Sequence, residues 1–510
     1  MHPPKISPWL LGTLGLVILA ICAFLLFFEL GDAPVFGDET LYIRVAGRAL
    51  QTGHWVPILW RPYAFVEKPP LTVWGAAAGM GLAGVSELGA RWVNGLVALL
   101  LCALTAGFAL RLGNLWTMAI APLLLVTAPG LLLDHGLRSV VPETWLLLAV
   151  TAAFFWFSFS QAKSPAVRLG GLALLSIFAG GTKGIVGPLL IGSALGLVEL
   201  IAPAEPLSLG RRLRQAVVTG AAAAIPGILV YFGWLLFSLA SFSGVRDFLY
   251  RDLVVRAAGG RASIDLQPFS IYLRAMWKDF GLLALAGPMT LLALRWRDRL
   301  HPGSEPIPGR RESSALLLWI AAVLVVFGIP KARLSWYCFP AFPALAIAAA
   351  LALDRVRSLL ADRRNGSWRR TATTVFALSL ALLFAVRADA LRRSWPAWDP
   401  HSLLALQRLL DADPAARAYA EKDLAQGEYA RTHVVEWQRF YVRRFAELAQ
   451  RELPADAPVC SFVVTPEPDA WRPTLGARLA GVTPVAGSVP GWLTLFVLDL
   501  CGGRFAGSAT

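Results

Sequence analysis

Long apolar stretches recur along most of this chain, and they leave it few ways to fold. Backbone polar groups inside a lipid bilayer must bond to one another, so stretches of this kind form transmembrane helices. The first, from Trp9 to Leu30, is long enough to cross a hydrocarbon layer about 30 Å thick. Twelve such stretches are found, at 9–30, 71–84, 91–110, 115–129, 141–160, 168–181, 184–202, 213–240, 276–294, 313–329, 336–354 and 371–388. The sequence predicts a polytopic α-helical membrane protein with about 11–13 transmembrane helices.

Composition supports this class and excludes others. Only 16% of the residues are charged and the mean hydropathy is +0.58, whereas soluble domains carry about 25% charged residues. The net charge of +14 does not indicate a nucleic-acid partner, because the arginines are scattered through short loops between apolar stretches. The positive-inside rule and contact with anionic membrane lipids account for most of them. The first stretch exceeds the length of a signal-peptide core, which predicts an uncleaved helix.

The basic loops orient the chain. They are expected on the cytoplasmic side, at Arg111, Lys163 with Arg168, Arg211–Arg214, Arg295–Arg299 and Arg355–Arg370. The loops at 130–140, 241–275 and 330–335 and everything after 389 then lie outside. An inner N-terminus and an outer C-terminus require an odd number of crossings, so one of the twelve stretches does not cross. The short, glycine-rich stretch 71–84 is expected to dip or lie flat; alternatively, a long stretch such as 213–240 contains a break.

The composition changes near residue 390. Residues 1–390 are predicted to form the transmembrane domain, and 391–510 a small α/β or α+β domain on the outer side. Within that tail, 434–453 is amphipathic and predicts a helix, while 458–464 and 491–500 predict strands. Cys460 and Cys501 could pair in an oxidising compartment, although spacing alone does not establish a disulfide.

Acidic residues follow the first apolar stretch directly. Ionisable groups at a bilayer boundary are costly to desolvate, so a cluster of them favours a functional role. A partly desolvated Asp38 could abstract a proton, or it could cap the helix that follows, and the two roles are compatible. Glu39 is expected to interact with the dipole of the same helix.

The segment Glu67-Lys68-Pro69-Pro70 holds an acid and an ammonium group next to rigid prolines, before an apolar helix. Lys68 could bind a phosphate as a point charge, and Glu67 could bind a divalent cation or orient the lysine. The alternative is a lysine that extends to the interface and pairs with its neighbour.

A second outer loop repeats the pattern of acid, base and proline. It contains His135 and Arg138 and leads into Glu143, for which a helix-dipole role is the alternative. A metal-binding role for His135 is open, although isolated histidines are seldom ligands. Lys183 lies between two apolar stretches on the outer side, and the order Thr182-Lys183-Gly184 is not that of a phosphate-binding loop.

Two further outer segments are basic, although the positive-inside rule disfavours basic residues on that side. The loop 241–275 carries arginines, and 331–337 combines basic residues with aromatic ones. Both patterns favour binding of phosphate or anionic lipid. The residues concerned are Arg246, Arg251, Arg256 and Arg261 in the first segment and Lys331, Arg333, Trp336 and Tyr337 in the second.

Together these motifs resemble the aminoarabinose-transferase-like branch of membrane glycosyltransferases, which belongs to the protein O-mannosyltransferase superfamily and has the C-type glycosyltransferase fold. The resemblance covers about residues 9–390. It depends on the following motifs: Asp38-Glu39 with Tyr42, Glu67-Lys68-Pro69-Pro70-Leu71, Arg91, Arg138 with Glu143, Thr182-Lys183-Gly184 and 331–343.

The resemblance implies an enzyme that transfers a sugar, with inversion, from a polyprenyl-phosphate carrier to lipid A, another glycolipid or a protein. Asp38 would be the base or the carboxylate that orients the acceptor. Glu143, the second catalytic candidate, stands where the family usually has Asp. Lys68 and Lys183 would bind phosphate, and Glu39, Tyr42 and Arg138 would also contact the substrate. Zinc-binding members use a histidine in the long outer loop, and this chain has none between 241 and 275, so a divalent metal at Glu67 is open.

The chemistry agrees with that expectation. A phosphate leaving group needs cations and hydrogen-bond donors, and an acceptor hydroxyl needs a base on the opposite face of the sugar. We therefore expect a multi-pass enzyme of a bacterial inner membrane with its active site facing the periplasm. A transporter or flippase is the alternative, but transporters place ionisable residues near the midplane within repeats, and a scaffold would leave the outer clusters unexplained.

Overall fold

The computed structural model describes most of the chain. The described residues are 8–31, 38–60, 63–255, 258, 266–300, 309–362, 366–393, 401–413, 415–421, 445–448, 453, 457, 460–465, 473, 475, 479–484 and 496–500.

Helices dominate the part before residue 400. The elements there are α1 (Pro8–Phe27), α2 (Asp38–Thr52), β1 (Leu59–Trp60), β2 (Tyr63–Ala64), α3 (Leu71–Ala83), α4 (Glu87–Leu112), α5 (Leu115–Val126), α6 (Pro142–Phe159), α7 (Pro165–Lys183), α8 (Val186–Ile201), α9 (Leu209–Leu239), α10 (Phe242–Leu249), α11 (Ser270–Phe280), α12 (Leu283–Leu300), α13 (Arg310–Gly328), α14 (Phe342–Asp362) and α15 (Gly366–Arg393). Short π-helical turns occupy Gly130–Asp134 and Tyr250–Val255, and a 3-10 helix occupies Ser335–Ala341.

Each of the twelve apolar stretches contains or overlaps a helix, which confirms the predicted polytopic helical class. In the described residues, six helices are long and apolar enough to cross a membrane, and five more apolar helices are shorter. The long stretch 213–240 has no break, because α9 continues through Pro226.

The stretch that does not cross is α3. At its start, Leu71 lies against Gly181, near the end of α7. Toward its other end, Gly79 faces the carbonyl oxygen of Gly89, in the first turn of α4. The end of α7 and the start of α4 lie at the same end of the bundle, so α3 begins and ends there. With α3 set aside, the described helices α1, α4 to α9 and α12 to α15 are eleven candidates for crossing, an odd number as the loop charges predict.

The two ends of the bundle differ in chemistry. The end predicted to be cytoplasmic carries basic groups in local pairs: Arg111 lies over the ring of Phe159 (5.6 Å), Arg311 pairs with Glu199 (3.0 Å) and Arg357 with Asp354 (2.8 Å). The other end holds α2, α3, the 130–141 loop and the end of α7. All the predicted site residues that the structure describes belong to this second end, which we call the outer end.

Helices α7 and α9 approach each other through small residues. A Cβ atom on Gly180 would collide with the backbone carbonyl of Gly227, and the Ser176 hydroxyl accepts a hydrogen bond from the N–H of Gly227 (3.0 Å). Close backbone approach through small residues is how membrane helices gain van der Waals contact without a hydrophobic driving force. This packing fixes the course of α7, which carries Lys183 at its last position.

The tail is a small α+β domain. Helix α16 (His401–Ala412) precedes β3 (Arg417–Glu421), β4 (Phe445–Leu448), β5 (Ser461–Thr465), β6 (Gly481–Pro484) and β7 (Phe496–Asp499). They form one sheet of order β4-β3-β5-β7-β6, in which β3 is parallel to β4 and β5, and β7 is antiparallel to β5 and β6. Leu406 and Phe462 of this domain pack in one apolar cluster with Tyr42 of α2.

Two predictions for the tail overlap strands, and one is wrong. The stretches 458–464 and 491–500 overlap β5 and β7. The helix predicted over 434–453 is not formed at 445–448, where β4 pairs with β3 instead. Pairing along a sheet overrides local amphipathic periodicity. Cys460 is disulfide-bonded, whereas Cys22, Cys102 and Cys338 are free; Cys501, the partner considered from the sequence, lies outside the described residues.

Gly180→Ala should destabilise the protein, because the added methyl group meets backbone rather than a flexible side chain. Overpacking of this kind typically costs about 1–3 kcal/mol. Gly170→Ala is the matched control, since it lies on the same helix with no atom near the added Cβ. Thermal unfolding in detergent should show a lower Tm for Gly180→Ala only. Equal Tm values for the two variants would contradict the close approach.

Candidate active site

A buried ion pair joins α2 to α4 at the outer end. Arg91 donates to both carboxylate oxygens of Glu39, at 2.8 and 2.6 Å, and to the carbonyl of Leu30 (3.2 Å). The backbone N–H of Val140 also donates to Glu39 (2.8 Å). Glu39 is more than a partner of its helix dipole: it fixes the start of α2 against α4 and the 137–141 loop. Its predicted contact with substrate has no support in this geometry.

Asp38, the residue before this anchor, lies next to three other ionisable groups. Oδ2 of Asp38 is 4.0 Å from Nε2 of His135, which is 3.4 Å from Oε2 of Glu143. The other oxygen of Glu143 accepts a 2.6 Å hydrogen bond from Nζ of Lys183. The four groups come from α2, the 130–141 loop, α6 and α7. Glu143 is 3% exposed and Asp38 is 20% exposed, so the pair with lysine is buried and Asp38 is open.

Aromatic rings surround the cations of this cluster. The ring of His135 stacks on Trp336 with centroids 4.4 Å apart. Nζ of Lys183 lies 4.8 Å from the ring centre of Tyr337 and 5.7 Å from that of Phe327, distances at which a cation is attracted to a ring face. The predicted site residue Tyr337 is thereby brought to Lys183 by the 3-10 helix 335–341.

A buried hydrogen-bond network shapes the loop that carries His135. The π-helical turn Gly130–Asp134 begins where the N–H of Gly130 donates to Oδ1 of Asp279 on α11 (2.7 Å). Asn94 of α4 donates to the carbonyl of Leu137 (3.0 Å). The turn and these two contacts fix both sides of the loop, so His135 projects toward α2 and α6.

Arg138 lies in the same loop and contacts the end of α1. It donates to the carbonyls of Leu25 (2.9 Å) and Phe28 (2.6 Å), at the end of α1. Helix ends leave such carbonyls without intrahelical partners, and Arg138 supplies donors for them. These contacts give Arg138 a structural function; substrate binding by Arg138 stays a prediction.

The charges of the cluster act on His135. Burial lowers the pKa of its imidazole, but the carboxylates of Glu143 and Asp38 outweigh burial and the opposing charge of Lys183, so the pKa is raised above its usual value. The charged form of His135 therefore persists to a higher pH than that of an ordinary imidazole.

Lys68 lies at the same end of the bundle as Lys183. Val66 packs in a cluster with Tyr231 and Ile185, and Gly184 closely approaches the ring of Tyr231. Lys68 is half-buried, and its ammonium donates to the backbone carbonyl of its neighbour Glu67 at 3.3 Å. The predicted alternative, a lysine paired with its neighbour, thus occurs through the backbone.

The described residues do not offer a donor set for a divalent cation. No three His, Cys, Asp or Glu side chains among them are grouped so that they could hold a metal ion. Glu67 alone would supply a single carboxylate, so its predicted metal role has no support from its described neighbours.

The other predicted site residues are more dispersed. Tyr42 is buried with its ring against Phe65. Arg246 and Arg251 are exposed and contact Asp247 through its carboxylate and its carbonyl, respectively. Arg333 donates to the carbonyls of Gly328 and Gln267, and Lys331 is exposed. Arg256 and Arg261 lie outside the described residues.

Sequence reasoning underrated two positions. His135 was considered only as a metal ligand, although its position in an outer loop between acidic segments was a signal for a contact with carboxylates. Phe327 carried no signal, because an aromatic residue near the end of an apolar helix is ordinary at a membrane interface.

Comparison with known proteins places this geometry in context. No family model matches the chain. An uncharacterized protein of Aquifex aeolicus is 27% identical over 66% of this chain, which spans 63% of that relative's length, slightly under two thirds. An undecaprenyl phosphate-alpha-4-amino-4-deoxy-L-arabinose arabinosyl transferase of Pseudomonas paraeruginosa is 26% identical, over 77% of this chain and 67% of the relative.

The structural likeness extends over nearly the whole chain. The crystal structure of ArnT from Cupriavidus metallidurans bound to undecaprenyl phosphate matches with a TM-score of 0.66 at 20% identity, covering 99% of this chain and 100% of that one. This chain has the C-type glycosyltransferase fold and is similar in sequence to aminoarabinose transferases. The resemblance inferred from the motifs is confirmed.

In this aminoarabinose-transferase-like protein, the Glu143–Lys183 pair should be strongly coupled. Lys183→Met leaves a buried carboxylate with less compensation, and breaking a buried pair by removing one partner typically costs about 3–5 kcal/mol. Combining it with Glu143→Gln removes both charges, so the double variant should have a higher Tm than Lys183→Met alone. The exposed Lys163→Met serves as control. Additive losses of Tm would contradict the pairing.

Proposed function

We propose that this chain is an integral-membrane glycosyltransferase that moves a sugar from a polyprenyl-phosphate donor to an acceptor outside the cytoplasm. One observation carries the proposal. Asp38, Glu143 and Lys183, which are far apart in sequence, gather at one end of a helical bundle. That bundle shares its fold with an enzyme crystallised with undecaprenyl phosphate.

The lysines suit the donor phosphate. Lys183 is held by Glu143 and two aromatic rings, which fixes the position of its ammonium group before a ligand arrives. Lys68 is half-buried at the same end and has donors available beyond its bond to the Glu67 carbonyl. Fixed cations stabilise a leaving phosphate in the transition state without reorganisation.

Asp38 suits the acceptor. When an acceptor hydroxyl attacks C1 of the sugar, the new C1–O bond forms while the bond from C1 to the phosphate oxygen breaks. The phosphate leaves with the electron pair, and the hydroxyl proton passes to the Asp38 carboxylate. Inversion follows from attack on the face opposite the phosphate. An acceptor that is itself a phosphate would need only orientation by Asp38.

Glu143 was predicted as catalytic, and its contacts favour a positioning function instead. Both of its oxygens face cations, one from Lys183 and one from His135. A buried carboxylate engaged in this way is poorly placed to accept a further proton. We therefore assign Glu143 to holding Lys183.

Several features support an active site that faces the periplasm of a bacterial inner membrane. The locally paired basic residues lie at the opposite end of the bundle, as the positive-inside rule requires of a cytoplasmic end. The disulfide at Cys460 fits an oxidising compartment. The tail packs on α2, which carries Asp38, so an acceptor reaching the site meets this domain.

The outer basic residues fit contact with lipid headgroups. Helix α10 and the turn after it expose Phe242 and Tyr250 beside Arg246 and Arg251, a combination that suits an anionic membrane interface. We extend the proposed headgroup contact to Lys331 and Arg333; the same function for Arg256, which lies outside the described residues, is proposed from the sequence alone. The proposed acceptor is lipid A, another glycolipid or a protein.

Mass spectrometry of envelope lipids and glycoproteins tests the function. A bacterium expressing the wild-type chain should carry a glycosylated product that is lost in its deletion strain. Asp38→Asn should lower formation of that product by about 100-fold or more, while membrane insertion is retained.

The exposed Asp247→Asn is the control for the loss of an aspartate charge. An unchanged product in the deletion strain would refute the proposed function. Full product with Asp38→Asn would remove Asp38 from the reaction.

Lys68→Ala should weaken binding of undecaprenyl phosphate, because a charged hydrogen bond to phosphate is worth about 1.5–3 kcal/mol, or about 10- to 100-fold in Kd. Binding to purified protein in lipid nanodiscs measures this directly. Lys163→Ala, at the opposite end, should bind like wild type. An unchanged Kd for Lys68→Ala would contradict its assignment.

A further inference from the structure

His135 is an ionisable group that the proposed reaction does not use. Its Nε2 atom lies 3.4 Å from Glu143 Oε2 and 4.0 Å from Asp38 Oδ2. One nitrogen thus faces two carboxylates on different helices. Nζ of Lys183 bonds to the other oxygen of Glu143, so the imidazole and the ammonium group face different oxygens of that carboxylate.

The imidazole is held rigidly in that position. Its ring stacks on Trp336 with an interplanar angle of 29°, and its loop is fixed by the Asp279 and Asn94 contacts. A side chain only 13% exposed, with both a fixed ring plane and a fixed backbone, can direct its N–H with little loss of entropy.

The groups that face His135 determine its charge. They are Asp38 on α2, Glu143 on α6 and Lys183 on α7, and Trp336 contributes an uncharged ring. Burial and the charge of Lys183 lower the pKa of His135, but the carboxylates of Glu143 and Asp38 outweigh them and raise it, which favours the imidazolium.

We propose that His135 is a positioning residue for sugar transfer, whose imidazolium between Asp38 and Glu143 keeps Asp38 ionised and directed toward the bound acceptor. The predicted effect on sugar transfer rests on the proposed function. The effect of the His135 charge on the ionisation of Asp38 does not depend on that function. A carboxylate that has to accept a proton during the reaction must be unprotonated beforehand. The positive charge 4 Å away disfavours early protonation of Asp38.

The test is the pH at which Asp38 becomes protonated, in wild type and in His135→Gln. Dicyclohexylcarbodiimide reacts with protonated carboxyl groups, so its attachment to Asp38 can be followed against pH by peptide mass spectrometry on the full chain in nanodiscs. Removing a unit charge at this distance should shift the labelling midpoint to higher pH by about one unit. A merely structural function would not shift it.

Two variants control the measurement. His54→Gln removes a histidine at the exposed far end of α2 and should leave the midpoint unchanged. His135→Lys keeps a cation and should keep the midpoint close to that of wild type, which provides a charged comparison if the glutamine variant folds poorly. Equal labelling midpoints for wild type and His135→Gln would overturn the proposal. A midpoint shift in His135→Lys as large as the shift in His135→Gln would also overturn it.

Turnover provides the second readout, with undecaprenyl-phosphate-linked aminoarabinose and lipid A as probes. In His135→Gln, kcat should fall while KM for the donor stays constant. The acid limb of the plot of kcat against pH should move to higher pH by as many units as the midpoint of Asp38 labelling. Unchanged kcat would also contradict the proposal. If wild type fails to transfer this sugar, that result counts against the proposed function, whereas the labelling midpoints still decide the electrostatic inference.

Discussion

The buried ion pair between Glu143 and Lys183 is the interaction on which the outer end depends. Two charges removed from water are stable only when their remaining donors and acceptors are compensated. Here the lysine is compensated by the rings of Tyr337 and Phe327, and the second carboxylate oxygen by His135. The need to satisfy this one pair therefore brings α6, α7, α13, the 130–141 loop and the 335–341 helix together.

A second constraint explains why arginines occur on the side where the positive-inside rule disfavours them. Helix ends carry carbonyls without intrahelical partners, and lipid offers no water to bind them. Arg138 donates to the end of α1, Arg91 to Leu30, and Arg387 of α15 to Thr127, just past α5. These guanidinium groups complete helix ends, so a basic residue in an outer loop is weaker evidence for phosphate binding than its position suggests.

The sequence was sufficient for the helical class, and it singled out Asp38, Glu143 and Lys183, which the structure brings to one end of the bundle. Apolar length and loop charge are local properties, so α3 could be singled out before its contacts were known. Glu39 and Arg138 could not be assigned, because their partners lie 52 and 113 residues away and no local pattern encodes such pairs. Strand β4 was missed for the same reason: its pairing with β3 is not local.

The two carboxylates of the cluster differ in what they can do, and burial is the cause. Glu143 is nearly enclosed and faces cations with both oxygens, so any proton it accepted would break the arrangement that holds Lys183. Asp38 is the more exposed of the two and faces His135 at a longer distance. Under the proposed function, the cations that keep Glu143 occupied leave proton transfer to Asp38, with the donor phosphate expected near the lysines and the acceptor near α2.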